Sequence, residues 1–395
     1  MNLLTDSISP EHADRTYKTI GYFIAFIAVG LMAAALGPTL LDLSKQTRTE
    51  WDEIAILFTV HALGYFIGSL LGGRLYDRMP GHRVMVGGLI TMAIMMILVP
   101  LIPRLPLLAI VWLILGVGSG ALDVGGNTLL IWVHGRQVGP YMNGLHFFFG
   151  VGAFLAPIII AQAMGISGDI VLAYWALAIL MLPAVPWLLR LPSPKPLSAA
   201  ENGQAGKAKP LLILLPALLL FLYVGAELAF GGWISTYAVT LGLEDAISAA
   251  YLTSAFWGAL TVGRLLTIPL AARFRPRWLL LVSFIGCLVS AGVIMLWPSS
   301  VEALWLGTLG MGLSMASIFP STFSLAGRHM AITGQISGYF LAGSSAGGMT
   351  VPLLIGQLFE GVGPQVTMYA IMITIILGIG IFAAWMAYLA RVGEG

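Results

Sequence analysis

Three charged residues occur inside long apolar stretches of this sequence, where a charge is costly. They are Asp123 in GSGALDVGGNTLL, Glu227 in YVGAELAFGGW and Arg264 in LTVGRLL. If these stretches cross a membrane, a charge at mid-depth costs at least about 2.5–3.5 kcal/mol, so it normally faces a cavity or an opposite charge. We therefore take the two acids as candidate site residues and Arg264 as an intramembrane charge partner.

Asp123 and Asn127 can form an ion site, because residues four apart lie on one face of a helix. Gly125 and Gly126 lie between them and leave backbone carbonyls open to approach. Carboxylate, amide and carbonyl oxygens suit a proton or a small hard cation. Asp123 and Asn127 are metal ligands only if that cation is sodium. The alternative is that Arg264 or another cation holds Asp123 in its ionised form, so that Asp123 contributes only to packing.

Glu227 lies beside aromatic residues, with Tyr223 and Phe230 at helical spacing and Trp233 nearby. A carboxylate accepts hydrogen bonds from hydroxyl groups, while an aromatic ring covers the apolar face of a sugar. These residues are therefore candidates for binding a polyhydroxylated ligand. The alternative is a buried acid that a Ser or Tyr hydroxyl on a neighbouring helix satisfies.

A further polar pair, Asn143 and His146, precedes three phenylalanines and a track of small residues. Small residues allow two helices to pack closely in a membrane. His146 is either a ligand contact or proton relay, or a neutral structural partner. His61 and Tyr65, four residues apart, form a weaker candidate of the same kind.

The composition indicates the elements that position these residues. Of 395 residues, 58% are hydrophobic and 9% are charged, whereas a soluble domain has about 25% charged residues. Cutting the chain at charged and Gly/Pro-rich points leaves twelve continuous apolar segments of spanning length, of which the first is predicted over 19–43 and the fourth over 107–133. The fold class is therefore an all-α polytopic membrane protein. The single cysteine excludes an intramolecular disulfide framework, and the absence of a basic groove or helix argues against binding to nucleic acid.

The distribution of lysine and arginine predicts the topology. These residues concentrate in alternate connecting segments, which the positive-inside rule assigns to the cytoplasm together with both termini. No signal peptide is recognised before the first span. The predicted units are a tail over 1–18, a six-helix bundle over 19–189, a cytoplasmic linker over 190–210, a second bundle over 211–390 and a tail over 391–395.

The two predicted bundles repeat each other at an offset of about 194 residues. Gly64 corresponds to Gly258, and Arg83 to Arg277. A repeat of six spans predicts two pseudo-symmetric bundles, related by an axis along the membrane normal, with a site between them.

The loop after the second span, GRLYDRMPGHR, resembles the signature loop of the major facilitator superfamily. It departs from that pattern by one inserted residue and by a histidine at the first basic position. The resemblance implies a latch in which Asp77 lies at the positive N-terminal end of helix 11, with Arg78 and Arg83 as loop cations. The alternative is that these charges only set the topology.

Two further segments, ALDVGGNT and YVGAELAFGGW, resemble the fucose/galactose/glucose permease branch of that superfamily. GPTLLDL and NTLLIWVHGRQVGPYMNGLHFFFGVGAFLAP resemble its sodium-dependent glucose transporter-like members. The resemblance implies a monomeric secondary transporter of a hexose or a related small polar solute, with Asp123 and Glu227 as the acids of helices 4 and 7. Proton-coupled members carry a second acid within helix 1, but here the segment FIAFIAVGLMAAALGPTLL of that helix contains no acid, and Asp42 lies only near its outer end. The coupling ion can therefore be sodium or a proton, and facilitated diffusion without a coupling ion is a further alternative.

Other classes of protein remain as alternatives. A drug/proton antiporter shares the fold, although GAFLAPIIIAQ lacks the glycine-rich end of helix 5 that is usual in antiporters. A receptor or scaffold without transport activity does not need acids inside the membrane. An enzyme is disfavoured, because the sequence contains no P-loop, nucleophile elbow or HExxH motif, and we expect no cofactor beyond a coupling ion.

Overall fold

The structure, a computed structural model, describes residues 10–135, 138–194, 210–330 and 334–393. These residues form α-helices, one short 3-10 helix and no strand. Residues 195–209 of the predicted linker and residues 1–9 of the predicted N-terminal tail lie outside the described residues. Twelve helical segments are long and apolar enough to cross a membrane, as the sequence predicts.

Sixteen α-helices make up these spans, because several spans are divided into two helices. The first half contains α1 (Pro10–Ala33), α2 (Leu36–Thr47), α3 (Trp51–Ile54), α4 (Ile56–Tyr76), α5 (Gly81–Leu98), α6 (Leu105–His134), α7 (Gly139–Ser167), α8 (Val171–Met181) and α9 (Ala184–Leu189). The second half contains α10 (Pro210–Thr240), α11 (Ala246–Arg273), α12 (Pro276–Leu296), α13 (Val301–Met315), α14 (Ile318–Gly327), α15 (Gly334–Val362) and α16 (Val366–Gly393).

Four of the spans are divided into two helices, and three of these breaks precede a proline. The sequence analysis does not anticipate the break in the first span, which it predicts as one helix over 19–43. In these three spans the first non-helical residue lies four residues before a proline, whereas the break at Ala55 in the second span has no proline at that spacing. The proline ring clashes with the carbonyl at that position and offers no N–H to it. The pairs are Ala34 and Pro38, Leu182 and Pro186, and Ala316 and Pro320.

Glycines bring α4 and α6 into close backbone contact. A Cβ atom added to Gly64 or Gly68 would collide with the carbonyl oxygen of Leu113 or Val117. Only a residue without a side chain allows this approach. The close packing fixes the register of α4 against α6, and this register decides which side chains of α4 meet those of α6.

The two halves contact each other at one end of the spans. Because the number of spans is even, both termini lie at the same end of the spans, which we call the terminal end. The connection between α2 and α3 lies at the opposite end, which we call the far end. Thr59 Oγ1 of α4 donates to the Met349 carbonyl of α15 at 3.0 Å. Ser254 Oγ of α11 donates to the Phe154 carbonyl of α7 at 3.0 Å. Both contacts lie in the far half of their helices, so the far end is closed.

Candidate functional site

The acid of the first half is held by two neutral hydrogen-bond donors. Asp123 lies in the second half of α6, where its Oδ2 accepts a hydrogen bond from the Tyr65 hydroxyl of α4. Asn127 Nδ2, one turn further along α6, donates to the Asp123 carbonyl at 2.8 Å and to Asp123 Oδ1 at 3.3 Å. Asp123 and Asn127 are both partly exposed. The carboxylate thus has ordered neutral partners and an accessible side.

The glycines between these residues do not provide the open carbonyls that the sequence suggests. A Cβ atom at Gly125 would collide with the Tyr76 hydroxyl, and one at Gly126 would collide with the Phe26 ring. Tyr76 and Phe26 therefore fill the space beside both glycines.

The acid of the second half forms an ion pair. Glu227 of α10 is 7% exposed, and its Oε1 accepts a hydrogen bond from Arg264 Nη2 of α11 at 3.3 Å. The alternative pairing of Asp123 with Arg264 is therefore wrong, as is a Ser or Tyr hydroxyl as the main partner of Glu227. Among the described residues, Asp123 forms no ion pair.

The polar residues of the fifth span are open to solvent. Asn143 and His146 of α7 are both exposed, although they lie in a membrane-spanning helix. The His146 ring contacts Phe26 of α1 edge-on, with ring centroids 6.0 Å apart. Arg264 is close enough to His146 to act on it electrostatically. His146 therefore belongs to the same polar region as the ion pair of the second half.

Two of the predicted ligand residues are buried. Tyr223 is 3% exposed, and Trp233 is fully buried. The Trp233 ring stacks on Phe58 of α4 and on Phe359 of α15, with centroids 6.0 and 5.1 Å away. Trp51 of α3 packs edge-on against the same indole at 6.2 Å. Trp233 is thus part of an aromatic cluster that joins the two halves at the far end.

Polar contacts surround this aromatic cluster. The backbone N–H of Trp51 donates to Glu360 Oε1 at 3.3 Å, and Gln357 Nε2 donates to the Asp52 carbonyl at 2.8 Å. A hydrogen bond with Glu360 and repulsion from its charge raise the pKa of Glu50, which precedes α3. The far-end contact therefore brings two carboxyl groups from opposite halves together.

The loop between α4 and α5 carries the residues of the resemblance to the superfamily signature. Asp77 follows the last residue of α4, and Asp77, Arg78 and Arg83 are all exposed. Helix 11 of the prediction is α15, and residues 331–333, which precede Gly334 in the chain, lie outside the described residues. The latch between Asp77 and helix 11 therefore stays a prediction.

Sequence reasoning missed two groups of residues. Tyr65 was considered only with His61, although its hydroxyl bonds Asp123. Gly64 and Gly68 of α4 are four residues apart, and α6 contains glycines at a similar spacing. This shared pattern is the signal that could have predicted the contact between the two helices. The far-end residues Trp51, Phe58 and Thr59 carry no chemical motif, so only the contact between the two halves reveals them.

Twelve spans in two six-helix bundles, with charged and polar side chains on facing helices of each, define an integral membrane transporter. The family model of the Major Facilitator Superfamily matches residues 19–341. The chain belongs to the major facilitator superfamily.

Relatives and solved structures agree with this assignment. The chain is 29% identical over 401 residues to sodium-dependent glucose transporter 1A of Mus musculus, covering 92% of this chain and 93% of that protein. It is 31% identical to sodium-dependent glucose transporter 1 of Homo sapiens, covering 85% of this chain and 72% of that protein. The fold is similar to that of the nucleoside transporter NupG, with a TM-score of 0.75, 15% identity and coverage of 94% and 99% of the two chains.

Proposed function

We propose that this protein is a sodium-coupled symporter of a hexose or a related small polar sugar. The proposed coupling ion binds at Asp123 and Asn127, and the sugar binds between this site and the Glu227–Arg264 pair. The names of the animal relatives support sugar and sodium as the cargo. Protons are the second candidate for the coupling ion, because a half-buried carboxyl that bonds only neutral donors can also carry a proton.

The partners of Asp123 carry this proposal. Its carboxylate accepts hydrogen bonds from Tyr65 and Asn127 and has no ion-pair partner among the described residues. A negative charge inside a membrane span without a cation is costly, so binding of a cation is favourable there. Glu227, in contrast, already has Arg264 at 3.3 Å. Its remaining carboxylate oxygen and the guanidinium N–H groups suit the hydroxyl groups of a neutral sugar.

The transport cycle we propose is a rocking motion of the two bundles about this polar region. The far end is closed in the structure, while Asn143 and His146 are exposed. If the termini are cytoplasmic, as the charge distribution of the loops predicts, this conformation faces the cytoplasm. The opposite conformation requires separation of Trp51 and Phe58 from the Trp233 cluster.

A drug/proton antiporter and a receptor without transport activity are the alternatives. An antiporter moves its ion and its solute in opposite directions, whereas a symporter accumulates solute down an inward ion gradient. A receptor binds its ligand and moves nothing. The direction of flux under an imposed gradient therefore separates the three classes.

The test is uptake of radiolabelled glucose and related hexoses into proteoliposomes under an imposed sodium gradient, a pH gradient or neither. We expect an inward sodium gradient to drive accumulation. Asp123→Asn should abolish accumulation but leave exchange of the sugar at equal concentrations, and Glu227→Gln should lower both. Uptake of Asp123→Asn that matches the unmodified protein under every gradient would remove Asp123 from coupling.

Asp169→Asn provides the matched control, because Asp169 is an exposed carboxylate near the start of α8. Its Oδ1 accepts a hydrogen bond from the Val171 N–H at 2.9 Å, and an amide oxygen can replace that acceptor. This variant should accumulate sugar like the unmodified protein. Loss of uptake in Asp169→Asn would show that removal of any carboxylate impairs the protein, which would void the result for Asp123.

A further inference from the structure

A second pair of oxygen ligands lies away from Asp123, where the far half of the first span meets the seventh. Asp42 lies on α2, in the first half of the protein, and Thr236 lies on α10, in the second half. Both residues line one cavity of about 10 Å³. This volume is close to the minimum that holds one water-sized particle. The cavity therefore has room for a single small occupant.

Both ligands have an unsatisfied oxygen atom. Asp42 Oδ2 and Thr236 Oγ1 are buried and form no hydrogen bond within the described residues, and Thr236 as a whole is 3% exposed. Buried polar atoms without partners are rare and costly. Ser235 also lines the cavity, and its hydroxyl retains acceptor capacity after bonding the Ala249 carbonyl at 2.7 Å.

The nearest cation does not neutralise this site. Lys45 Nζ lies 4.0 Å from Asp42 Oδ1, and the lysine side chain is 67% exposed. An exposed ion pair at that distance contributes little. It also leaves the second carboxylate oxygen, Oδ2, without a partner. One negative charge directed into the cavity thus lacks a counter-charge.

A glycine creates the close approach of the two helices at this point. A Cβ atom on Gly37 of α2 would lie 2.7 Å from the Gly231 carbonyl oxygen and 3.0 Å from that of Gly232. The neighbouring Pro38 is the residue that accompanies the break between α1 and α2. The broken span thus turns Asp42 and its backbone against α10, and the cavity lies between them.

We propose that Asp42 and Thr236 bind one monovalent cation of the size of sodium, at a site distinct from Asp123. Hard oxygen ligands favour alkali and alkaline-earth cations. A single carboxylate balances one positive charge, and the described residues contain no group of three or more His, Cys, Asp or Glu side chains for a divalent metal.

The cation stabilises the closed far end. One ligand comes from each half of the protein, so the site is complete only while α2 and α10 are in contact. A ligand that binds one of two conformations shifts the equilibrium toward that conformation. Sodium at this site therefore favours the state in which the far end is closed, whether or not it is the ion that drives transport.

The experiment measures the thermal unfolding temperature of the purified full chain in detergent. Sodium, lithium, potassium and choline chlorides are compared at constant ionic strength. We expect sodium to raise the unfolding temperature in a saturable way and choline to have no such effect. Asp42→Asn and Thr236→Val should weaken the apparent sodium affinity at least about tenfold, as loss of even outer partners of a metal does.

Two control variants keep the site intact. Thr236→Ser retains the hydroxyl group, and Thr240→Val removes an exposed hydroxyl one turn further along α10. Both should keep the sodium effect. If Asp42→Asn fails to fold, the comparison of Thr236→Val with Thr236→Ser still decides the result, because valine and threonine have nearly the same shape.

Failure of this inference is distinguishable from failure of the proposed function. If sodium still stabilises Asp42→Asn and Thr236→Val but not Asp123→Asn, the second site is refuted and sodium coupling at Asp123 stands. An unfolding temperature that is the same in sodium and choline also overturns the inference. A sodium effect that needs Asp42 and Thr236 but not Asp123 supports it, even where uptake is driven by protons.

Discussion

The Glu227–Arg264 pair offers the most quantitative prediction for the membrane interior. At 3.3 Å and an effective dielectric constant of 20, the attraction between the two charges is about 5 kcal/mol. Removing one partner of a buried pair costs about 3–5 kcal/mol, because it leaves the other charge uncompensated. The Glu227 side chain is 9% exposed and that of Arg264 is 26% exposed. Water relieves an unpaired Arg264 more than an unpaired Glu227.

These values predict an order of stabilities for three variants. Arg264→Met should lower the free energy of unfolding by about 3–5 kcal/mol. Glu227→Gln should lower it by about 2–4 kcal/mol, because the remaining arginine is better hydrated. The double variant should lose less than about 2 kcal/mol, since it leaves no buried charge.

The assay is reversible unfolding of the purified protein in mixed micelles with an increasing fraction of SDS. It is applied to the unmodified protein and the three variants as a double-mutant cycle. A double variant whose loss equals the sum of the two single losses would refute the reasoning, because the two charges would then act independently. A larger loss for Glu227→Gln than for Arg264→Met would refute the assigned difference in hydration.

Three further predictions concern neighbouring contacts. Tyr65→Phe removes a hydrogen bond to the charged Asp123, worth about 1.5–3 kcal/mol, so the free energy of unfolding measured in SDS should fall by about that amount. Gly68→Ala should destabilise the protein by about 1–3 kcal/mol in SDS unfolding, because a Cβ there meets backbone. Gly73→Ala, with no atom within 4 Å of the added Cβ, should stay within about 0.5 kcal/mol. The raised pKa of Glu50 makes the closed far end favoured below its ordinary pKa and disfavoured as pH rises through the raised value. Spin-label distances across the far end should show this dependence, and Glu50→Gln should abolish it.

The sequence predicts the spans well, because the length of apolar segments is set by the thickness of the membrane. The fourth span, predicted over 107–133, is observed over Leu105–His134. The repeat of six spans is also visible in the sequence, since glycines and prolines mark helix contacts and breaks. The break that precedes Pro38 is not predicted from the sequence. A proline does not always interrupt a helix, as Pro157 within the unbroken helix α7 shows.

The pairing of charges is not predictable in the same way. Residues all around most of these helices are apolar, so the sequence does not indicate which face of a span meets which neighbour. Arg264 was compatible with Asp123 or with Glu227, and only the packing of α10 against α11 selects Glu227. The bond from Tyr65 to Asp123 likewise depends on the register of α4 against α6.

The two halves have the same helical plan but differ in how their acids are neutralised. Asp123 bonds two neutral donors, so the first half carries a negative charge in its polar region. Glu227 pairs with Arg264, so the corresponding region of the second half is neutral. A cation is therefore attracted to the first half, whereas a neutral solute meets no net charge at the second. Reversing this arrangement with Asp123→Asn and Arg264→Gln should move the cation preference to Glu227. A sodium effect on unfolding that persists when Asp42→Asn is added to that double variant would reveal this, and its absence would contradict the argument.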